Sequence, residues 1–287
     1  MRAGYAFITP MLIGLLVFTS IPFLYSLYLA FTKYNGMAKP EWVGFGNFIE
    51  MLTNDKDFWH SLGVTFRYCL INVPLKQLAA LLAAVLISKK TKMTGAYRLV
   101  LYLPSLIGGT VAMAVTFIRL FSTNGAINQL LSVVGIEPIK WLADPAASMA
   151  VLIMSAMLSI GGAMLIYLAG LKNIPSNLME AATVDGASPL MTFLKIKIPM
   201  LTPIIFYNFV MGMIGSLQTF SGAYLITGGG PAKATLFYGL YQYQMAFARG
   251  HMGYASAMAW FFMLVILALT ALVFKSSAGW VYFQDEG

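Results

Sequence analysis

The chain has 287 residues, of which 59% are apolar and 10% charged, with a formal net charge of +8. Soluble domains average about 45–50% apolar and about 25% charged. This composition therefore excludes a water-facing globule, and with it a soluble enzyme, a nucleic-acid binder or a disordered scaffold.

A membrane-crossing helix needs roughly 20 mainly apolar residues. Six windows qualify, at about 6–31, 62–88, 99–121, 148–171, 200–226 and 255–275. All are too long and too continuous for barrel strands, which alternate over about ten residues. The predicted fold is an all-α polytopic membrane protein: one domain, residues 1–287, with six transmembrane helices. The first window carries Pro10 and Pro22 and runs into Lys33 and Tyr34 without a small-residue cleavage site. It reads as a true span rather than a signal peptide. Cys69, the single cysteine, lies inside the second window and reads as a small core hydrophobe.

Charge sets the orientation, because cytoplasmic loops collect Lys and Arg. With the amino terminus inside, the inner segments hold Arg2, Lys89, Lys90, Lys92, Arg98, Lys172, Lys195, Lys197 and Lys275, against Glu180, Asp185, Asp285 and Glu286. The outer segments hold Lys33, Lys39, Lys56, Lys140, Lys233 and Arg249 against six acidic residues, and are neutral. Both termini are therefore expected in the cytoplasm, with a long outer loop from about Thr32 to Ser61. Arg67 and Arg119 lie near span ends and can snorkel to the interface. Lys76 lies deeper, where a lysine is costly unless it faces protein or water. Two readings stay open: a lysine paired with a carbonyl or carboxylate of a neighbouring subunit, or one lining a solute path.

Between the fourth and fifth windows lies an inner loop, from Lys172 to Pro203, long enough for two short helices. Ser176 is expected to cap the first, with Glu180 near its positive start. Gly186 ends it. Ser188 followed by Pro189 starts the second, and Pro199 marks entry into the fifth span. Two interfacial helices of this kind make a projecting knob suited to docking.

Glu180-Ala181-Ala182, then Asp185-Gly186-Ala187, then Ile198-Pro199 resembles the EAA loop of binding-protein-dependent ABC importer permeases. Thr227-Gly228-Gly229-Gly230-Pro231, with Leu236, Tyr241, Phe247, Gly253, Tyr254, Ala255 and Ala257 downstream, is similar to the sugar-uptake branch of that family. Gln218-Thr219-Phe220 leading into that run is similar to the maltose-type first permease. The resemblance implies a type I importer permease fold whose EAA coupling loop spans 172–199. Its ATPase-coupling residues would be Glu180, Ala181, Ala182, Asp185, Gly186, Ala187 and Pro199. It also implies a second related permease, a dimer of ATPase subunits carrying ATP and Mg, and an extracytoplasmic solute-binding protein. The substrate would be a carbohydrate and the location a bacterial inner membrane.

No GxxxxGK[ST] phosphate loop is present, so ATP is not held by that route and no enzyme activity or cofactor is expected of this chain. No His/Cys/Glu cluster has metal-ligand spacing. No acidic residue lies in any window, which argues against the alternative of a self-sufficient secondary carrier or channel built on buried carboxylates. A solute face is legible in the fifth window, where Asn208, Gly212, Gly215, Ser216, Thr219 and Gly222 recur at three- and four-residue steps. Ser155, Ser159 and Gly162 form a similar stripe in the fourth. Such stripes serve either close helix packing or a polar groove, and the resemblance favours the groove, with Lys76 beside it.

Overall fold

The computed structural model describes residues 2–88, 94–107 and 110–282, with the backbone alone at 2–7 and 107. Lys89, Lys90, Lys92, Asp285 and Glu286, which enter the charge argument, lie outside the described residues. Four helices among those described are long and apolar enough to cross a membrane: α1 (Ile8–Ala30), α3 (Lys56–Ser88), α10 (Pro189–Leu217) and α12 (Met252–Ser277). Two further spans are interrupted, one formed by α4 (Thr94–Ile107) and α5 (Val111–Leu120), the other by α7 (Pro145–Met157) and α8 (Gly161–Asn173). Counted this way the total is six. The remaining elements are a two-residue ladder of β1 (Thr32–Lys33) with β2 (Glu41–Trp42), and helices α2 (Gly46–Thr53), α6 (Ala126–Val133), α9 (Ser176–Val184) and α11 (Tyr238–Tyr243).

Several predicted boundaries move for identifiable reasons. The second span begins at Lys56, six residues before the apolar window, because Asp55 caps it by accepting from the Phe58 N–H at 3.0 Å. The fourth begins at Pro145, where Asp144 accepts from Ala147 N–H and proline takes the first helical position. Prolines inside the first and fifth spans do not break them. Two of them follow a π turn, Leu16–Ser20 before Pro22 and Phe193–Lys197 before Pro199, while Pro10 and Pro203 lie within regular helix. The wider turn absorbs the carbonyl that a proline cannot serve.

The chain divides into two compact units: residues up to Leu62 with Tyr238–Leu267, and Gly63–Phe237 with the residues from Ala268 onward. In the first unit, the expected outer loop is an ordered structure. Asn47 is buried and donates to the carbonyls of Ala30 (2.8 Å) and Thr32 (2.9 Å), tying α2 to the end of α1. Asp55 accepts from the hydroxyls of Tyr241 (2.6 Å) and Tyr254 (2.5 Å). Burial pushes this carboxyl up, but the two tyrosine bonds and the Phe58 and Asp57 amides outweigh burial and hold it below its ordinary value. Gly253 packs directly on the Thr32 carbonyl, so a side chain there meets backbone. The residues downstream of the glycine-rich run are thus the tertiary contacts of this unit. Phe58, fully buried, stacks edge-on against Tyr238 and Phe261 among them.

In the second unit, Ala80, Ala83 and Ala84 of α3 form a cluster with Met164, Tyr167 and Leu168 of α8. Small residues let the two helices approach closely. Gln77 then links three helices, accepting from Tyr167 Oη at 3.0 Å and donating to the Asn208 carbonyl at 2.6 Å. Cys69 is buried, as expected.

Asp55 is the joint most exposed to test. Asp55→Ala removes the helix cap and leaves two tyrosine hydroxyls without their acceptor. Bonds to a charged group are worth about 1.5–3 kcal/mol, which predicts an apparent Tm lower by roughly 4–8 °C at neutral pH. A carboxyl held low in the folded state contributes stability above its unfolded pKa and loses it as pH falls through the folded one. The gap between wild type and variant in detergent thermal melts should therefore close in acid.

Candidate functional site

The two breaks that sequence periodicity does not reveal open onto the same space. In the fourth span the chain bends by 48° between α7 and α8. Leu158 and Ser159 close short turns onto the Ser155 and Ala156 carbonyls there. Gly161 resumes the helix with α4 pressed against it, since an added Cβ would lie 2.7 Å from Ser105 Oγ and 3.0 Å from Tyr102 Cα. In the fifth span the helix ends at Leu217 and not at 226. Thr219 Oγ1 takes the Gly215 carbonyl at 3.3 Å while the Thr219 N–H turns to Ser216. That competition from a local hydroxyl ends the ladder. A further π turn, Ala223–Thr227, follows before Gly228 reverses the chain in a left-handed conformation.

Between these breaks lies a cavity of about 390 Å³. Helix α3 contributes Tyr68, Asn72 and Lys76, spaced at i, i+4 and i+8 on one face; α7 and the break contribute Ser155 and Ser159. Helix α10 and its break contribute Gly212, Gly215, Ser216, Gln218, Thr219 and Phe220, and Gly222 follows. Among the described residues, Lys76 is the only one with a formal charge in the lining. Asn72 is 4% exposed; its Nδ2 donates to Ser216 Oγ at 3.2 Å, and its Oδ1 is buried with no hydrogen-bond partner.

Of the residues expected on the solute face, Lys76, Ser159, Gly212, Gly215, Ser216 and Thr219 share this cavity, whereas Asn208 and Gly162 do not line it. Asn208 is buried, and its carbonyl is the acceptor for Gln77. Thr219 reaches the cavity from the break itself and Gly222 from beyond it, not from one continuous helical stripe. The glycines separate into two roles. A Cβ at Gly212 would lie 2.7 Å from Gln77 Nε2, so Gly212 serves packing, while Gly215 and Gly162 have nothing within 4 Å. Sequence reasoning missed Tyr68 and Asn72 as lining residues. Their helical spacing from Lys76 was the available signal.

The segment after the fourth span differs from expectation in three ways. Ser176 is the first residue of α9 and makes no cap; Pro175 holds the cap position, and Asn177 Oδ1 accepts from the Leu178 N–H at 2.9 Å instead. Glu180 falls mid-helix, outside the first turn where the macrodipole acts. The second short helix does not exist separately: from Pro189 the chain runs unbroken through the π turn at Phe193–Lys197 into the fifth span. Ser188 does cap that start, accepting from Met191 N–H at 3.3 Å. Between the two, Gly186 N–H bonds the Thr183 carbonyl and Ala187 N–H the Ala182 carbonyl, the paired pattern of a Schellman stop, with Gly186 at φ +68°. Ala182 is 5% exposed and packs inward; Leu178, Val184 (88% exposed), Leu190, Met191 and Leu194 are exposed apolar residues.

An all-helical membrane domain with interrupted spans around a polar cavity is the architecture of a solute permease. Residues 65–281 match the binding-protein-dependent transport system inner membrane components, and the chain belongs to that family. The Probable ABC transporter permease protein YesP of Bacillus subtilis (strain 168) is 48% identical, over 99% of this chain and 93% of its own length. The Lactose transport system permease protein LacF of Rhizobium radiobacter is 34% identical over 96% of this chain and 93% of its own. Among solved structures, a bacterial ABC transporter involved in import of the acidic polysaccharide alginate superposes with a TM-score of 0.86. It shares 24% sequence identity and covers 96% of this chain and 95% of that one. Membership of a binding-protein-dependent family sets aside the self-sufficient carrier.

Gly215→Trp and Gly212→Phe are expected to fail differently. Tryptophan at 215 enters open space, so the importer should assemble while solute uptake is abolished. Phenylalanine at 212 must displace Gln77, at an overpacking cost of about 1–3 kcal/mol, so it should lower the recovered complex and its Tm. Size-exclusion recovery read beside uptake in proteoliposomes separates the two.

Proposed function

We propose that this chain is one of two related permease subunits of an ATP-driven carbohydrate importer and forms half of its translocation path. Its cavity is then part of that path, and the observation that carries this reading is the convergence of two broken spans on polar side chains. A ring of hydroxyls and amides offers a sugar the hydrogen bonds it leaves behind in water. The lactose and alginate systems among its relatives support the carbohydrate class.

The expected partners are a second permease, two ATPase subunits that hold ATP and Mg, and an extracytoplasmic solute-binding protein. Docking to the ATPase falls to the segment 172–199, with Glu180, Ala181, Ala182, Asp185, Gly186, Ala187 and Pro199 at or behind the contact. The exposed apolar residues of α9 and the start of α10 support this, because such a patch at the water boundary asks for a cover. The unbroken run of α10 gives the segment a lever: a push at Pro189 is delivered to the cavity residues Gly212–Ser216 without an intervening hinge. Closure of the ATPase dimer would shift the population between inward- and outward-facing bundles. In this orientation both termini are cytoplasmic.

Gly186 is the position to alter. Its left-handed conformation costs a β-branched residue roughly 1 kcal/mol or more, although nothing crowds a side chain there. Gly186→Val should leave the permease inserted, loosen the ATPase and abolish uptake; Glu180→Ala should do so less severely. A cysteine at Val184 should crosslink to the ATPase readily, and one at the inward-packed Ala182 poorly. Normal ATP-driven uptake by Gly186→Val with the ATPase retained would contradict the coupling role.

A further inference from the structure

We infer that the cavity is built for a carboxylate-bearing saccharide, with Lys76 as the group that receives the carboxylate. The inference rests on the reading of this cavity as part of the solute path.

Lys76 stands about 30 Å along α3 from Lys56, in a 33-residue helix, well inside the apolar stretch. An intramembrane lysine persists where it meets a counter-charge or water. Among the described residues it has no ion-pair or hydrogen-bond partner, and the cavity lining contains no carboxylate. No acidic residue lies in any of the six apolar windows, and Asp57, in the first turn of α3, is 19 residues from Lys76. The charge is therefore directed into the cavity without a partner from its own chain.

A second, independent feature points to the same occupant. Asn72 sits one helical turn before Lys76, and neighbours at that spacing are about 5–6 Å apart. Its Nδ2 is already used by Ser216, which leaves Oδ1 buried, unpartnered and able only to accept. An ammonium beside a bare acceptor matches a uronic acid residue, whose ring hydroxyl donates close to its carboxylate. A neutral sugar satisfies Asn72 but leaves the ammonium unpaired. The cavity volume falls in the range of small-molecule sites.

The test uses the complete importer with its binding protein in proteoliposomes. The probes are di- and trigalacturonate and their methyl esters, which differ in charge and hardly in shape. Every variant shares one binding protein, so a change in the acid-to-ester uptake ratio arises in the permease. The wild type should accumulate the acids. Lys76→Met should lower acid uptake about 10- to 100-fold, the scale of a lost bond to a charged group, while binding-protein-stimulated ATP hydrolysis persists. Lys76→Arg should retain most acid uptake. Asn72→Asp, which sets a like charge beside the carboxylate, should lower acid uptake more than ester uptake and guards against a Lys76→Met that fails to assemble. Uptake of the esters alone or of neither probe by the wild type, or unchanged acid uptake by Lys76→Met, would overturn the inference. Gly215→Trp separates the two levels: if it blocks uptake while Lys76→Met does not, the cavity stands and the charge selectivity falls. If Gly215→Trp transports normally, the cavity reading itself falls.

Discussion

A bilayer offers no water to a peptide group, so a spanning helix can break only where protein or a wet cavity satisfies the freed donors and acceptors. That constraint gives the two interruptions their meaning. The bend at Leu158–Ile160 and the stop at Gln218–Phe220 are far apart in sequence, yet Ser159, Gln218, Thr219 and Phe220 line one cavity. The freed groups are closed by tight turns and by the Thr219 hydroxyl, so the breaks are locally satisfied. The backbone is irregular where the polar side chains gather.

Around this opening the packing is firm on one side and open on the other. Gln77 joins α3, α8 and α10 through Tyr167 and the Asn208 carbonyl, and Gly212 exists to let that amide pass. One turn further, Gly215 faces nothing. A single helix thus carries a packed glycine and an open one three residues apart, both on the cavity lining, with Gly212 at its packed margin. Because α10 continues without interruption to Pro189, the same rigid element bears both the cavity edge and the start of the coupling segment. The Asp55 joint does comparable work in the other unit, where a charged acceptor fixes two tyrosines from later in the chain.

The fold class was legible in the sequence because apolar length is a coarse signal, and all six windows correspond to helices or helix pairs. Gly186 and Ser188 were legible because left-handed stops and serine caps depend on one residue and its neighbours. Breaks were harder. Neither Leu158–Ile160 nor Gln218–Phe220 contains proline or glycine, so an apolar average runs straight across them. Prolines misled in the opposite direction: Pro199 looks like a boundary, but one π turn carries the helix past it. Ser176 failed as a cap because Pro175 already holds the preceding residue extended. For the cavity, the stripe of small residues was readable but its two uses were not, since whether a glycine meets Gln77 or empty space is decided by another helix. Tyr68 and Asn72 were hidden inside an apolar run that hydropathy treats as uniform.

If the coupling segment drives transport, this cavity is reached alternately from the two sides of the membrane. Gly215→Cys in the complete importer tests it, using a membrane-impermeant maleimide applied to either face of sealed vesicles. Without nucleotide the thiol should react from the face that carries the Ser176–Pro199 segment. With ATP held unhydrolysed and the binding protein present, it should react from the opposite face. Labelling from the same face in both states, or from neither, would contradict the account.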